Sequence, residues 1–204
     1  MNGKCFKEPI FHGIVEGRIT QFREIMKPQP KNFIGATPYG FSRKDYGWDY
    51  YSPIKPRFKI GETLYLKEPY RILKRNGSRY KIAYQDGYNT VKTHLSIKSI
   101  THPNKWCNKL YMSKDFARYF IEITGVNAER LQDISDENCI REGIIAHYGG
   151  FEDGTDEELV YYSNGIETDF EKPQQAFAAL IDKIQKGAWE RNEFYWAYEF
   201  KLIK

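Results

Sequence analysis

The chain has few cysteines and no spacing of residues that is typical of a metal site. Its 204 residues include three cysteines, which are odd in number, widely separated and without a Cys-x-x-Cys pair. The four histidines lack the His-x-x-x-His spacing of a helical metal site. A disulfide-stabilised secreted fold is therefore not expected, and a reducing cytoplasm is the simplest location. We also expect no metal and no cofactor.

Long hydrophobic runs are missing as well. No apolar stretch approaches the roughly 20 residues with which a helix crosses a bilayer. The first five residues lack the apolar core of a signal peptide. The chain also has no glycine-rich phosphate loop and no Ser-His-Asp arrangement. We therefore expect no membrane association and neither of the two chemistries that those motifs support.

Charge is distributed unevenly along the chain, although the net charge is only +4. Residues 18–118 contain 21 Lys/Arg against 7 Asp/Glu, whereas residues 152–171 contain 8 acidic residues and no basic one. The basic part is also rich in Phe, Tyr and Trp. Cations attract phosphates and aromatic rings stack on bases, so this composition favours a nucleic-acid or nucleotide partner. A solvated basic surface above an ordinary aromatic core explains it equally well.

The hydrophobic content of 41% supports one domain over residues 1–204. Start and stop signals predict helices that begin at Pro9, Ser135 and Pro173. Alternation predicts strands at 63–72, 79–85, 119–124 and 194–203, with a hairpin turn at 74–78 that contains Asn76-Gly77. Two long loop excursions are expected, at about 31–58 and 146–171. The first could close over a ligand or be a poorly ordered insertion, and within the second we expect a loop or a marginal helical hairpin.

Residues 61–68 read Gly-Glu-Thr-Leu-Tyr-Leu-Lys-Glu, an apolar strand that ends in a carboxylate. Alternation places Glu68 on the same face as the two leucines. If that face is the core, the carboxylate needs a partner, for which Arg18, Arg23 and Arg118 are candidates. The alternative is a strand end at the rim of the fold that leaves Glu68 in water.

Glu142 is the second notable carboxylate, because it lies in the last turn of the helix expected after Ser135. Negative charge is disfavoured at that end of a helix, which tends to raise the pKa of a carboxyl group. A raised pKa suits proton transfer near neutral pH. A plain surface glutamate, tolerated at a small cost, is the alternative.

Residues 17–23 read Gly-Arg-Ile-Thr-Gln-Phe-Arg and follow the end of the first helix. Arg18, Thr20 and Arg23 offer donors to a phosphate or carboxylate, and arginine can bind either group through two hydrogen bonds. This segment indicates a binding site only if it lies close to the carboxylates of Glu68 and Glu142. We therefore expect Arg18, Glu68 and Glu142 to surround one cavity.

These segments belong to an ordered series of short motifs. Residues 27–30 read Lys-Pro-Gln-Pro, residues 129–135 read Glu-Arg-Leu-Gln-Asp-Ile-Ser, residues 142–144 read Glu-Gly-Ile, and residues 196–200 read Trp-Ala-Tyr-Glu-Phe. Together with residues 17–23 and 61–70, the series resembles the ASCH-domain proteins, in particular their longer branch associated with phages and prophages. The resemblance covers nearly the whole chain apart from the two variable loops.

The resemblance implies an α+β fold of the PUA-like type, a small mixed β-barrel flanked by helices, and a role in binding RNA or nucleotides. Some short ASCH members are amidohydrolases that remove the acyl group of N4-acylated cytidine. They use a lysine and a threonine of the first motif and a glutamate of the later helix. The glutamate position is Glu142 here, but the lysine position is Ile19 and the threonine position is Phe22. Neither replacement can carry that chemistry unless Thr20, Arg23 or Lys27 substitutes.

The leading hypothesis is a cytoplasmic protein of the phage or prophage type that binds RNA or a nucleotide. The residues expected to act fall into three groups: Arg18, Arg23 and Lys67 for phosphate, Phe22, Tyr65 and Tyr70 for stacking on bases, and Glu68 and Glu142 for a base edge or for holding arginines. Thr20 and Arg118 complete the expected binding set.

Two alternatives stay open. One is hydrolysis of a modified nucleoside, such as N4-acylcytidine, or of RNA, with Glu142 as the acid or base. The other is a phage accessory or assembly protein without a small ligand, in which the acidic residues 152–171 dock a basic phage or host protein.

Overall fold

The computed structural model describes residues 1–30, 36–37, 40–41, 54–76, 79–87, 89–93, 104–149, 158–163, 165–166 and 168–203. They form a mixed α/β structure. Most of the expected loop at 31–58 lies outside the described residues. None of the helices in the described ranges is long and apolar enough to cross a membrane.

The helices and strands follow one another in a mixed order. The strands are β1 (Asn2–Cys5), β2 (Gln21–Ile25), β3 (Ala36–Thr37), β4 (Gly40–Phe41), β5 (Thr63–Lys67), β6 (Tyr70–Asn76), β7 (Arg79–Tyr84), β8 (Asn89–Thr93), β9 (Phe120–Arg130), β10 (Ile144–Gly149), β11 (Glu158–Ser163) and β12 (Phe194–Leu202). The helices are α1 (Glu8–Val15), α2 (Asp136–Arg141), α3 (Pro173–Ile184) and α4 (Ala188–Arg191). Short 3-10 turns lie at Lys109–Tyr111, Lys114–Phe116 and Leu131–Asp133.

The main sheet has five strands in the order β1-β5-β9-β12-β2. Only β1 and β5 run parallel, and the other neighbours are antiparallel. The sheet is strongly curled, as shown by the ion pair between Lys4 on one edge strand and Glu24 on the other. Within the described ranges β1 pairs only with β5 and β2 only with β12, so no backbone ladder closes the sheet. The mixed α/β class is confirmed, and a closed barrel is not found in these ranges.

The two faces of the curled sheet hold different cores. The inner face carries the largest apolar cluster, to which Phe22, Leu64, Ile121 and Tyr198 belong. Alternation along β2 then places Gln21, Arg23 and Ile25 on the outer face. A second cluster, formed with α2 and α3, covers that outer face. Arg23, the charged residue on this face of β2, is therefore buried beneath helices rather than exposed to water.

Local signals placed the starts of the three expected helices correctly, although the third ends at Ile184 and not at Gly187 as expected. The first helix has a proline in its opening turn and is followed by Gly17 at a φ of +76°. The Ser135 side chain accepts a hydrogen bond from the backbone N–H of Asn138 and so caps α2. Pro173 opens α3, as expected.

The strand expected at 63–72 is two strands. It divides at Glu68 and Pro69, and β6 leaves the main sheet to pair with β7. Proline has no N–H to donate to a ladder, which explains a break at this point. The expected hairpin of β6 and β7 is confirmed, but β6 continues to Asn76, opposite Arg79, through residues expected in the turn at 74–78. Residues 77–78 lie outside the described part of the chain.

The expectation for the segment 146–171 was wrong in part. Instead of a loop or a helical hairpin, β10 and β11 pair antiparallel from Ile144 opposite Ser163 to Gly149 opposite Glu158. The run Leu-Val-Tyr-Tyr at 159–162 is rich in β-branched and aromatic residues, which favour a strand. Residues 150–157 lie outside the described part of the chain.

Candidate functional site

Arg23 lies at the centre of a buried charge cluster on the outer face of β2. Its side chain is only 2% exposed. Nε lies 2.6 Å from Oε1 of Glu142, and Nη2 lies 2.6 Å from Oε1 of Glu129 on β9. Ala197 on β12 is directly opposite Arg23, and its small side chain lets the guanidinium reach across to β9. One cation is thus shared by two carboxylates.

Glu142 enters this cluster from the end of α2. It is the C-cap of the helix and is followed by Gly143 at a φ of +107°. The side-chain amide of Gln21 donates to its Oε1 at 3.0 Å. Burial raises the pKa of Glu142 to about 7, although Arg23 and Gln21 act in the opposite direction. The nearby negative charge of Glu129 also acts to raise the pKa of Glu142.

Several polar atoms of the cluster have no partner in the described ranges. Oε1 of Gln21 and Nη1 of Arg23 are buried and make no hydrogen bond there. Both contacts to Glu142 use Oε1, which leaves Oε2 for another group. Leaving a buried donor or acceptor unpaired is costly. The cluster therefore offers one acceptor, one donor and one carboxyl oxygen to a ligand.

A cavity of about 300 Å³ lies directly in front of this cluster. Its lining is mainly apolar and includes Ile10 of α1 and Phe177, Leu180, Ile181 and Ile184 of α3, together with residues of β1 and β2. A second cavity of about 210 Å³ continues from it towards Ile19 and shares Lys7, Ile10, Glu142, Leu180 and Ile184 with the first. We refer to the two together as the α1–α3 cleft. Its mouth carries the exposed Lys7, and its inner end carries the polar atoms.

Glu68 belongs to a separate charge cluster. Arg118 binds it through two hydrogen bonds, Nε to Oε1 at 2.9 Å and Nη2 to Oε2 at 2.5 Å, and also contacts Asp86 at 2.9 Å. The expected burial and ion pair of Glu68 are confirmed. Burial raises the pKa of Glu68, against the effect of Arg118. A third cavity of about 210 Å³ adjoins this pair, lined by Phe11 and other residues of α1.

The shared cavity expected around Arg18, Glu68 and Glu142 is not what the structure shows. Helix α1 contributes Ile10 to the cleft beside Glu142 and Phe11 to the cavity beside Glu68. It therefore separates the two carboxylates. The exposed Arg18 pairs with Glu16 at 2.5 Å and lines none of these three cavities.

Thr20 and Lys67, which were expected in the binding set, line none of the three cavities. Thr20 is half-buried, and its backbone N–H donates to the carbonyl of Arg141 at 3.0 Å. Lys67 donates from Nζ to the carbonyl of Leu110 at 2.8 Å. Arg23, expected at a phosphate, is instead enclosed by carboxylates.

The three aromatic residues expected to stack on bases are packing residues instead. Phe22 is buried on the inner face, with its ring 5.0 Å from that of Tyr198. Tyr65 is buried and donates to a backbone carbonyl. Tyr70 stacks on Phe116 at 4.8 Å. Alternation along a strand could not show that Phe22 and Tyr65 are buried, because both faces of β2 and β5 are covered by apolar clusters.

Sequence reasoning missed two members of the Glu142 cluster. Gln21 lies within residues 17–23 but was given no role there, although alternation on β2 places it on the same face as Arg23. Glu129 lies on β9 and meets Arg23 only through the pairing of β9 and β2 with β12. The first could have been found from the strand pattern, but the second required the topology.

Comparison of the chain with protein-family models, with curated proteins and with solved structures gives no match in any of the three. The resemblance to ASCH proteins therefore stays a hypothesis. Within the described ranges no group of three His, Cys, Asp or Glu is placed to hold a metal ion. The acidic residues 152–171 are described only in part, so the docking hypothesis also stays a prediction.

Proposed function

We propose that the chain binds the base of a nucleotide, or of a nucleotide within RNA, in the α1–α3 cleft. The observation that carries this proposal is the set of buried polar atoms without partners at the inner end of the cleft. Oε1 of Gln21 accepts, Nη1 of Arg23 donates, and the Glu142 carboxyl group can do either. An uncharged planar molecule with mixed donors and acceptors along one edge suits this set, and a nucleobase has such an edge.

The walls of the cleft support the same proposal. A cavity of about 300 Å³ falls in the range of small-molecule pockets. The flat faces of a base would lie between Ile10 and the apolar side of α3, while its edge meets the polar end. Lys7 at the mouth would then contact the phosphate.

The fold proposal follows the resemblance. A PUA-like barrel requires the sheet to close, and the Lys4–Glu24 ion pair brings the two edge strands together. Ile19, the counterpart of the ASCH lysine, and Glu142, the counterpart of its glutamate, line the same part of the cleft. These placements favour a site at the same location as in ASCH proteins, with Arg23 and Gln21 in contact with the glutamate.

Calorimetric titration with the four ribonucleoside monophosphates tests the binding proposal. Leu180→Trp fills the cleft, and Gln21→Leu removes the unpaired acceptor. Each is expected to weaken binding at least tenfold. Leu202→Trp places the same bulk at the exposed end of β12 and should bind like the unaltered protein. Binding that is absent at every nucleotide, or that Leu180→Trp leaves unchanged, would overturn the proposal.

Hydrolysis of an N4-acylated cytidine is the second candidate, favoured by the pKa of Glu142 at about 7. In this proposal the Glu142 carboxylate takes a proton from water, whose oxygen attacks the acyl carbonyl carbon. The carboxyl group then returns the proton to the departing N4 amine, giving cytidine and the free acid. Ile19 and Phe22 take no part, because neither side chain carries a titratable or nucleophilic group.

Chromatography of N4-acetylcytidine incubated with the protein distinguishes the two candidates. Hydrolysis predicts cytidine and acetate in equal amounts, and their loss in Glu142→Gln. Binding alone predicts no product from either form. Turnover that survives in Glu142→Gln would exclude Glu142 as the acid or base.

A further inference from the structure

A second surface, outside the cleft, combines exposed aromatic rings with lysines. It is formed by residues 104–116 and includes two 3-10 turns. Trp106 is 47% exposed, Leu110 is 60% exposed and Tyr111 is 81% exposed. Single exposed apolar residues are common, but three within six residues mark an interaction surface. We call this segment the 104–116 surface.

The charge around these rings is strongly positive. Lys105, Lys109 and Lys114 lie on the segment itself, and the only acidic residue between 104 and 116 is Asp115. The neighbouring strands add two more cations, which contact the segment directly. Lys67 donates to the carbonyl of Leu110, and the Arg71 guanidinium lies 5.0 Å from the centre of the Trp106 ring. Glu8, which lies 3.7 Å from Lys109, offsets part of this charge from another element.

The 104–116 surface is tied to the mouth of the cleft. Lys109 donates from Nζ to the carbonyl of Phe6 at 2.6 Å. Phe6 and the next residue, Lys7, line the cleft. A ligand that leaves the cleft past Lys7 therefore comes directly onto this surface.

We propose that the 104–116 surface binds single-stranded nucleic acid, with bases stacked on Tyr111 and Trp106 and phosphates on Lys105, Lys109 and Lys114. Exposed rings interleaved with cations suit an unpaired strand, whose bases have free faces and whose backbone carries regular negative charge. A duplex hides its base faces and would leave the rings without partners. This deepens the proposed function, because it makes the ligand of the cleft part of a strand.

Fluorescence anisotropy with labelled 12-nucleotide oligouridine RNA and oligothymidine DNA tests the proposal. The unaltered protein should bind at low salt, with an affinity that falls as the salt concentration rises. Stacking on aromatic rings does not read the sugar, so both strands should bind. Replacing both rings, Trp106→Ala with Tyr111→Ala, should weaken binding at least tenfold.

Two further variants test whether binding depends on these particular rings and on the lysines beside them. Tyr148→Ala removes a tyrosine of β10 that is 68% exposed and should leave binding unchanged. Lys105→Glu with Lys114→Glu keeps the rings, reverses two exposed charges and should weaken binding at least tenfold while flattening its salt dependence. These side chains are exposed, so the folded state of each variant should be retained in its circular dichroism spectrum.

The test of the 104–116 surface can be distinguished from the test of the cleft. The double ring variant should keep its affinity for mononucleotides, which Leu180→Trp loses. If mononucleotides fail to bind while the rings still govern oligonucleotide binding, only the cleft proposal fails. No binding of either oligonucleotide at low salt, or equal binding by the double ring variant, would overturn the proposal for the 104–116 surface.

Discussion

Nε of Arg23 lies 2.6 Å from Oε1 of Glu142, and both side chains are more than nine-tenths buried. The two residues are 119 positions apart and come from an edge strand and a helix end. Their contact joins the sheet to the helical layer beneath the cleft. The stability of the fold and the chemistry of the candidate site therefore depend on the same pair.

Removing the cation should destabilise the protein strongly. Arg23→Met leaves Glu129 and Glu142 without their shared partner and is expected to cost about 3 kcal/mol in the free energy of unfolding. Adding Glu142→Gln should restore at least about 1 kcal/mol, because one buried charge is then removed. Urea denaturation measures both values. Lys201→Met, which breaks an exposed pair with Glu122, should cost less than about 1 kcal/mol.

The pair also predicts how stability depends on pH. The folded-state pKa of Glu142 is about 7, above its ordinary value of 4.5. The folded protein therefore holds a proton that the unfolded chain releases, and the stabilisation is complete below about pH 4.5. It is lost as the pH rises through about 7, by about 3 kcal/mol at most. The free energy of unfolding of the unaltered protein minus that of Glu142→Gln, measured from pH 5 to 8, isolates this change. A difference that stays constant over this range would contradict the predicted pH dependence.

Breaking the buried Arg118–Glu68 pair should cost more stability than breaking an exposed pair, and the cost should depend on pH. Arg118→Met leaves a buried carboxylate and is expected to cost about 3 kcal/mol or more at pH 8. The loss should shrink towards pH 5, because protonation removes the buried charge of Glu68. Arg18→Met breaks the exposed pair with Glu16 and should cost less than about 1 kcal/mol at either pH. Thermal unfolding at both pH values compares the two variants.

Gly143, next to Glu142, should tolerate no side chain. Its φ is +107°, and an added Cβ would lie 2.8 Å from Cδ1 of Ile19. Gly143→Ala is therefore expected to destabilise the fold by about 1–3 kcal/mol. Gly61→Ala also acts at a positive φ but meets no atom within 4 Å, so it measures the backbone effect without the contact. Equal losses in the two variants would show that the contact with Ile19 does not matter.

Local signals in the sequence were sufficient for most of the helix ends, because caps and turn glycines act within a few residues. Ser135, Gly17 and Pro173 are examples. The burial of Glu68 also followed from alternation along its strand. Its partner could only be narrowed to three arginines, since Arg118 lies 50 residues away in the chain.

The candidate site was less predictable, because it depends on which face of each strand is covered. Phe22 and Arg23 are neighbours on a strand that is covered on both sides, so one ring enters the inner core and one guanidinium enters the outer layer. Composition suggested that rings and cations act together at one site. In the described part of the chain, exposed rings lie instead at Trp106, Tyr111 and Tyr148, which alternation does not mark.

Side-chain NMR during a nucleotide titration tests the base-binding cleft most directly. The Nε–H signal of Arg23 and the side-chain amide signals of Gln21 report on the two residues whose partners are incomplete. We expect both sets to shift saturably as a ribonucleoside monophosphate is added, together with the methyl signals of Leu180. If these signals stay in place while the nucleotide binds elsewhere, or if no signal shifts at millimolar nucleotide, the cleft is not a nucleotide site.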